Sequence, residues 1–271
     1  MYRALLKRYL PSGLARVVKQ AEFLLKRQMY KGDNYYCPYC DRTFKTFFSG
    51  GITNDLIEKM DVIGAGIRKN MVCPGCGSTD RDRILYAYFE SVFAENKPNN
   101  ILHIAPEPCI RKYLRKKVQQ SYTCGAKFHE GLYYSKNMEL LDLENLPFKD
   151  QSFDWVICNH VLEHVNDETK SLQEVLRVLT IGGKAVLQVP WTPKLEQTYE
   201  NQSITSPEDR LIHFGQSDHL RLYGKDFPKR LQLAGYHVSL FKPHDLTFIV
   251  ENKRNLSFNP REVIFVGEKQ A

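Results

Sequence analysis

From residue 100 onward, short apolar runs alternate with stretches whose apolar positions recur every three or four residues. The runs read as buried strands and the stretches as helices packed on them, the pattern of a mainly parallel α/β sheet covered on both faces. It predicts strands over 101–105, 122–128, 138–143 and 155–158, with a helix over 111–117 after the first. A further helix lies in "TKSLQEVLRVL", stopped by Gly182 and Gly183, and a fifth strand in "KAVLQVP", ended by Pro190. "DFPKRLQLAG" reads as a helix closed by Gly235, and "YHVSLF" and "REVIFVG" as the last strands. Upstream, "STDRDRILYAYFESVF" sets Ile84, Leu85, Tyr88, Phe89, Val92 and Phe93 at helical spacing behind Ser78 or Thr79 as a cap.

The pattern divides the chain into a segment over 1–31, a module over 32–80, a connecting helix over 81–99 and an α/β domain over 100–271. The module is marked by cysteines. "YYCPYC" supplies Cys37 and Cys40, and "MVCPGC" supplies Cys73 and Cys76, with 32 residues between the pairs. Each C-P-x-C turn aims two thiolates at one point, and two such turns complete the tetrahedral sulfur shell that zinc prefers. Four cysteine ligands leave no open position, so the expected zinc is structural, in a zinc-ribbon-like module with an insertion between its knuckles. Iron in the same shell remains an alternative. Seven cysteines without an export signal speak against a disulfide framework.

"LENLPFKDQSFDWVICNHVLEHVNDETKSLQEVLRVLTIGGKAVLQVP" resembles the central part of class I S-adenosylmethionine-dependent methyltransferases of the small-molecule type. The four-cysteine front end followed by "ILHIAPE" is similar to a bacterial subgroup of that family. The resemblance implies a Rossmann-like, doubly wound sheet of seven strands, the last antiparallel, with S-adenosylmethionine lying across the carboxyl ends of the first strands.

Aligned on the first strand, His103 stands where the family usually has an acid, and Ala105 and Glu107 where glycines are common. Glu107 has two readings: it replaces the missing carboxylate that meets the cofactor's ammonium, or it caps the following helix. After the second strand, where the family places an acid on the ribose, stand Gly125 and Ala126, with Glu130 nearby. Asp142 and Leu143 match the positions that hold the adenine ring, and Asn159 and His160 match residues lining the cofactor pocket.

For the acceptor, His160 and His219 are the candidate bases, with His164 read as a packed residue. The polar stretch 206–227, containing His213, Asp218, His219, Arg221 and Tyr223, is where an anionic or hydroxyl-rich small molecule would bind. Its His and Asp spacing also suits a metal, as a weaker reading. Cys109 and Cys158 read as small packed groups.

Charge adds a second function class. Residues 1–31 hold eight of the 38 basic side chains against one acid, Glu22, so the whole excess of +7 lies there and the remainder is balanced. Leu14, Val17, Val18, Ala21, Leu24 and Leu25 form an apolar face on this segment, which either packs on the protein or lies on an anionic membrane surface. RNA methylation through the zinc module and basic arm, and a catalytically silent binding protein, are the alternatives to small-molecule methyl transfer. There is no secretory h-region and no transmembrane run, so the expected location is cytoplasmic, with peripheral membrane contact as the variant.

Overall fold

The computed structural model describes residues 12–94, 97–118, 120–127, 138–246 and 254–271. Helix α1 (Ser12–Met29) leads into the hairpin of β1 (Lys31–Cys37) and β2 (Arg42–Phe44), whose turn carries the first cysteine pair. A second antiparallel pair, β3 (Phe48–Gly50) and β4 (Arg68–Val72), delivers the second cysteine pair at its end. Between β3 and β4 runs an insertion containing the short helix α2 (Asp55–Lys59). Cys37, Phe44, Phe47 and Cys73 form the module's buried centre.

Helix α3 (Asp80–Phe93) begins at Thr79 with a reciprocal capping box: the Asp82 amide donates to the Thr79 hydroxyl and Asp82 accepts from the Thr79 amide. Ile84, Leu85, Tyr88, Phe89 and Phe93 are buried as the spacing predicts. Arg83 lies on the same helix, fully buried. Its guanidinium donates to the carbonyls of Ser78, Met71, Leu256 and Ser257 and stands 4.5 Å over the Phe47 ring. One buried cation thus joins the second knuckle, β4 and the segment before the last strand, satisfying carbonyls that burial would otherwise leave costly.

The strands β5 (Asn100–Ile104), β6 (Ser121–Ala126), β7 (Glu139–Leu140), β8 (Phe153–Asn159), β9 (Leu179–Gln188), β12 (Tyr236–Phe241) and β13 (Ile264–Lys269) form one sheet of order β12-β13-β9-β8-β5-β6-β7. Only β13 runs antiparallel to its neighbours. Helices α4 (Pro108–Lys117), α5 (Glu168–Val178) and α7 (Phe227–Leu233) flank it, while α6 (Pro207–Phe214) and the small β10 (Tyr199–Glu200) and β11 (Arg221–Leu222) pair lie beyond β9. β8 is central because its residues are apolar on both faces, and cores fill either side: Val156 and Cys158 on one, Trp155 and Ile157 on the other.

Two expectations change. Gly182 and Gly183 do not stop α5, which ends at Val178. They lie inside β9, where Gly182 takes φ +74° and the pairing slips from Phe153–Leu179 to Trp155–Lys184. Of the predicted apolar face of α1, the described side chains Val18, Ala21, Leu24 and Leu25 are exposed rather than packed on the domain, and the helix rests on the second knuckle through Phe23 and Arg27. Position 125 is glycine for packing, since a side chain there would strike the Glu139 carbonyl and Leu141. Residues 1–11, the side chains of Leu14 and Val17, Phe128 and Glu130 lie outside the described residues.

Candidate functional site

The carboxyl ends of β5, β6 and β8 carry the residues expected to hold a cofactor. His103, fully buried in β5, places Nδ1 2.8 Å from the Tyr122 hydroxyl and Nε2 3.0 Å from Glu107 Oε2. Glu107 occupies the N-cap position of α4 without a side-chain capping bond, so it is a carboxylate oriented by His103 rather than a cap. Ala105 takes φ +47°, the left-handed conformation that glycine would adopt more cheaply, and its amide donates to the Gly125 carbonyl. At this one position the turn takes a glycine-type conformation without glycine.

Asp142 lies half-exposed past β7. Burial pushes its carboxyl up, but Lys127, 2.9 Å away, and the Glu144 amide outweigh that and lower it. Leu143 is buried beside it in the core. Asn159, 3% exposed, ends β8, and neither its amide oxygen nor its nitrogen has a partner. Its register neighbour Gln188 is in the same condition at the end of β9. Buried amides are normally satisfied, so two adjacent ones with four open positions mark a place for a polar ligand or water.

Next to them sit groups the sequence did not bring together. His160, at φ +53°, places Nε2 2.8 Å from Arg81 Nη1. A guanidinium only donates, so Nε2 accepts and the proton is on Nδ1, which faces Glu163 Oε1 at 3.4 Å. Burial and the Arg81 charge hold the His160 imidazole well below its ordinary value, hence neutral. With its lone pair occupied by Arg81, His160 has no nitrogen open to accept a further proton in this arrangement. Arg81 also donates to the Gly64 carbonyl of the insertion.

The insertion covers this end of the sheet: Ile63 and Trp191 exchange backbone hydrogen bonds, and the Thr192 hydroxyl donates to the Met60 carbonyl. Glu262, just before β13, turns inward beneath it. Both Glu163 and Glu262 are 1% exposed and each has one oxygen without a partner. Desolvation pushes their carboxyls up to about 8 and about 7. Such displaced values inside an enclosed polar cluster are a mark of functional sites. Outside, a cavity of about 520 Å³ separates the insertion from residues 257–261 and is bordered by the Asp61–Arg261 ion pair.

The polar stretch 206–227 resolves into different roles. Arg221, 4% exposed, donates to the carbonyls of Leu162, Val165 and Asn166 and so clamps the turn after β8. The Tyr223 hydroxyl is buried on Glu168 at 2.6 Å. Neither is placed to bind substrate, because internal acceptors consume their donors. His213 sits at the surface with the Tyr199 hydroxyl 3.1 Å away. His219 is buried against His164, its imidazole lowered to about 4 by desolvation and by His164.

Just before the N-terminus of α3, beside Ser78, the four cysteines converge. Cys37 and Cys76 sulfurs are 3.6 Å apart and Cys40 and Cys73 sulfurs 3.8 Å, with all four within 4.8 Å of one another. The edge of a tetrahedron with metal–sulfur bonds of roughly 2.3 Å is about 3.8 Å. The Ser78 hydroxyl and the Gly75 amide approach these sulfurs, and Gly77 turns the second knuckle at φ +77°.

The described sheet is an open α/β sheet with six parallel strands, one reversed strand beside the edge and unpartnered polar groups at the carboxyl ends, the place where open α/β sheets generally take their ligands. Residues 75–187 match the family model described as methyltransferase domain. The ubiquinone/menaquinone biosynthesis C-methyltransferase UbiE of Idiomarina loihiensis is 27% identical over 108 residues, covering 35% of this chain and 43% of that one. Norajmaline N-methyltransferase of Rauvolfia serpentina is 36% identical over 58 residues, 21% and 20% of the two chains. The 1,6-didemethyltoxoflavin-N1-methyltransferase of Burkholderia thailandensis, solved with S-adenosylhomocysteine, superposes with a TM-score of 0.46 at 10% identity over 70% of this chain and 79% of that one. The matched stretches span between 20% and 43% of these curated relatives' length. Among the described residues, no helix is long and apolar enough to cross a membrane.

Proposed function

We propose that this protein transfers a methyl group from S-adenosylmethionine to a small, hydroxyl-bearing or sugar-like acceptor, and that its four cysteines hold a structural zinc. The observation that carries the methyl-transfer reading is the pair of buried, unpartnered amides of Asn159 and Gln188 at the carboxyl end of a sheet whose strands through β9 fall, to within a residue, in the stretch matching the methyltransferase-domain model. Glu107 and Asp142 are the carboxylates for the cofactor's charged and adenine ends, Ala105 gives the close backbone approach, and Leu143 and Asn159 complete the site. His103 positions Glu107. When bound, S-adenosylmethionine supplies an electrophilic methyl on a sulfonium.

The rest is positioning. In-line displacement needs donor and acceptor aligned in a dry site, and the insertion over 51–67 supplies the cover. Arg81 fixes His160, and the buried Glu262, with one oxygen unpartnered and its carboxyl raised, is suited to hydrogen-bond a hydroxyl of the acceptor. Sulfur spacings near those of a zinc tetrahedron support the metal assignment.

Calorimetric titration with S-adenosylmethionine and S-adenosylhomocysteine tests this directly. Micromolar binding, followed by label transfer to a hydroxyl-bearing acceptor, is the expected result. No binding at millimolar ligand would replace the reading with that of a silent scaffold. Strongly salt-dependent RNA binding with label transfer to RNA would replace the acceptor class.

A further inference from the structure

We propose that Glu163, His164 and His219 form a second metal site, for a zinc-class divalent cation, at the acceptor end of the sheet; its suggested use rests on the methyl-transfer reading, but its existence does not. The three residues come from two segments more than fifty positions apart. Glu163 and His164 lie in the 3-10 turn Leu162–His164 that follows β8, and His219 in the loop that enters β11. Arg221 ties that turn down through three carbonyls, and the Leu220 amide donates to the Glu163 carbonyl at 2.8 Å. The result is one ring nitrogen from each histidine and one Glu163 oxygen within 4.8 Å of one another.

Bonds of roughly 2.1 Å to nitrogen and oxygen put the ligands of a tetrahedral ion about 3.4 Å apart, so side-chain adjustment of an ångström or so closes this set on a cation. Two further features point to a ligand. Glu163 Oε2 is buried with no partner, although the residue is only 1% exposed. Both histidines are steered by backbone carbonyls: His164 Nδ1 donates to the Asp218 carbonyl at 3.1 Å, which leaves Nε2 as its lone-pair nitrogen, and the His219 ring bonds to the Phe214 backbone. A ring nitrogen that donates to a carbonyl while the other keeps its lone pair is the usual support of a metal-bound imidazole.

Two imidazoles and one carboxylate select a borderline transition ion over magnesium or calcium, which prefer oxygen shells. Three protein ligands leave coordination positions open, unlike the four-cysteine site. The His164 side chain is 30% exposed, giving the ion a way in and an acceptor oxygen a way to reach it. An oxygen bound there would be held and polarised beside His160, whose Nδ1 is 3.4 Å from Glu163.

The test uses the full, tag-free chain with its four-cysteine site loaded, and reads metal content together with a cobalt(II) titration followed by absorption. A second equivalent should bind without the intense thiolate bands of the sulfur site and should be removable by a mild chelator. His164→Gln, at the partly exposed ligand, should leave the fold and the first equivalent intact and weaken the second at least tenfold, and His219→Ala should do the same. A single equivalent at all metal concentrations overturns the proposal, as does a second equivalent whose affinity is unchanged in both variants. Neither S-adenosylmethionine nor acceptor enters the experiment, so this site and the methyl-transfer reading fail separately.

Discussion

Replacing Glu262 with glutamine should stabilise the protein progressively as pH rises. Glu262 is 1% exposed, and desolvation outweighs the nearby Arg81 and Arg68 charges to push its carboxyl from 4.5 up to about 7. The folded chain therefore keeps a proton that the unfolded chain releases above pH 4.5. Its contribution to stability is fully present below that point and is lost as pH rises through about 7. Each pH unit in that window removes up to about 1.4 kcal/mol, so the loss between 4.5 and 7 comes to on the order of 3 kcal/mol. Glutamine has nearly the same shape as the protonated acid and cannot ionise. Urea unfolding of both proteins from about pH 5 to about pH 8 should show the variant gaining on the wild type by on the order of 3 kcal/mol, other titrating groups cancelling in the difference. A difference constant to within about 0.5 kcal/mol, or one that shrinks with pH, would refute the claim that burial governs this carboxyl.

Other variants probe the remaining links. Glu107→Gln should weaken S-adenosylmethionine binding by about 1–3 kcal/mol in calorimetry if the His103-held carboxylate meets the cofactor's ammonium; an unchanged affinity removes Glu107 from the site. Cys73→Ser should lose the tightly held metal and on the order of 5 kcal/mol of stability, and full metal content with an unchanged melting temperature would contradict a structural four-sulfur site. Arg83→Met removes the guanidinium from the carbonyls of Ser78, Met71, Leu256 and Ser257, so the urea-derived stability should fall by about 3 kcal/mol or more, whereas a loss under about 1 kcal/mol would mean that Arg83 does not join module to domain.

What the sequence determined by itself was local. Apolar runs placed β5, β8, β12 and the face of α3 within a residue or two, because strand and helix periods are set by neighbours close in the chain. The C-P-x-C pairs were legible for the same reason: each half of the metal shell is a single turn. Gly182 and Gly183 were misplaced because a helix stop and a bulge use the same glycine conformations, and only the pairing with β8 shows which is meant.

Tertiary structure decided the site. Arg81 reaches His160 across 79 positions, Glu262 meets the insertion around Gly64, and His219 comes to Glu163 and His164 only because Arg221 clamps the intervening turn. Such contacts join residues whose spacing in the chain carries no period. The exposed face of α1 is equally a matter of packing, since the sequence showed an apolar stripe while the position of Phe23 and Arg27 on the second knuckle determined which way it faces. Amphipathicity specifies that a face can be buried; only the shape and charge of the surface it meets specify whether it is.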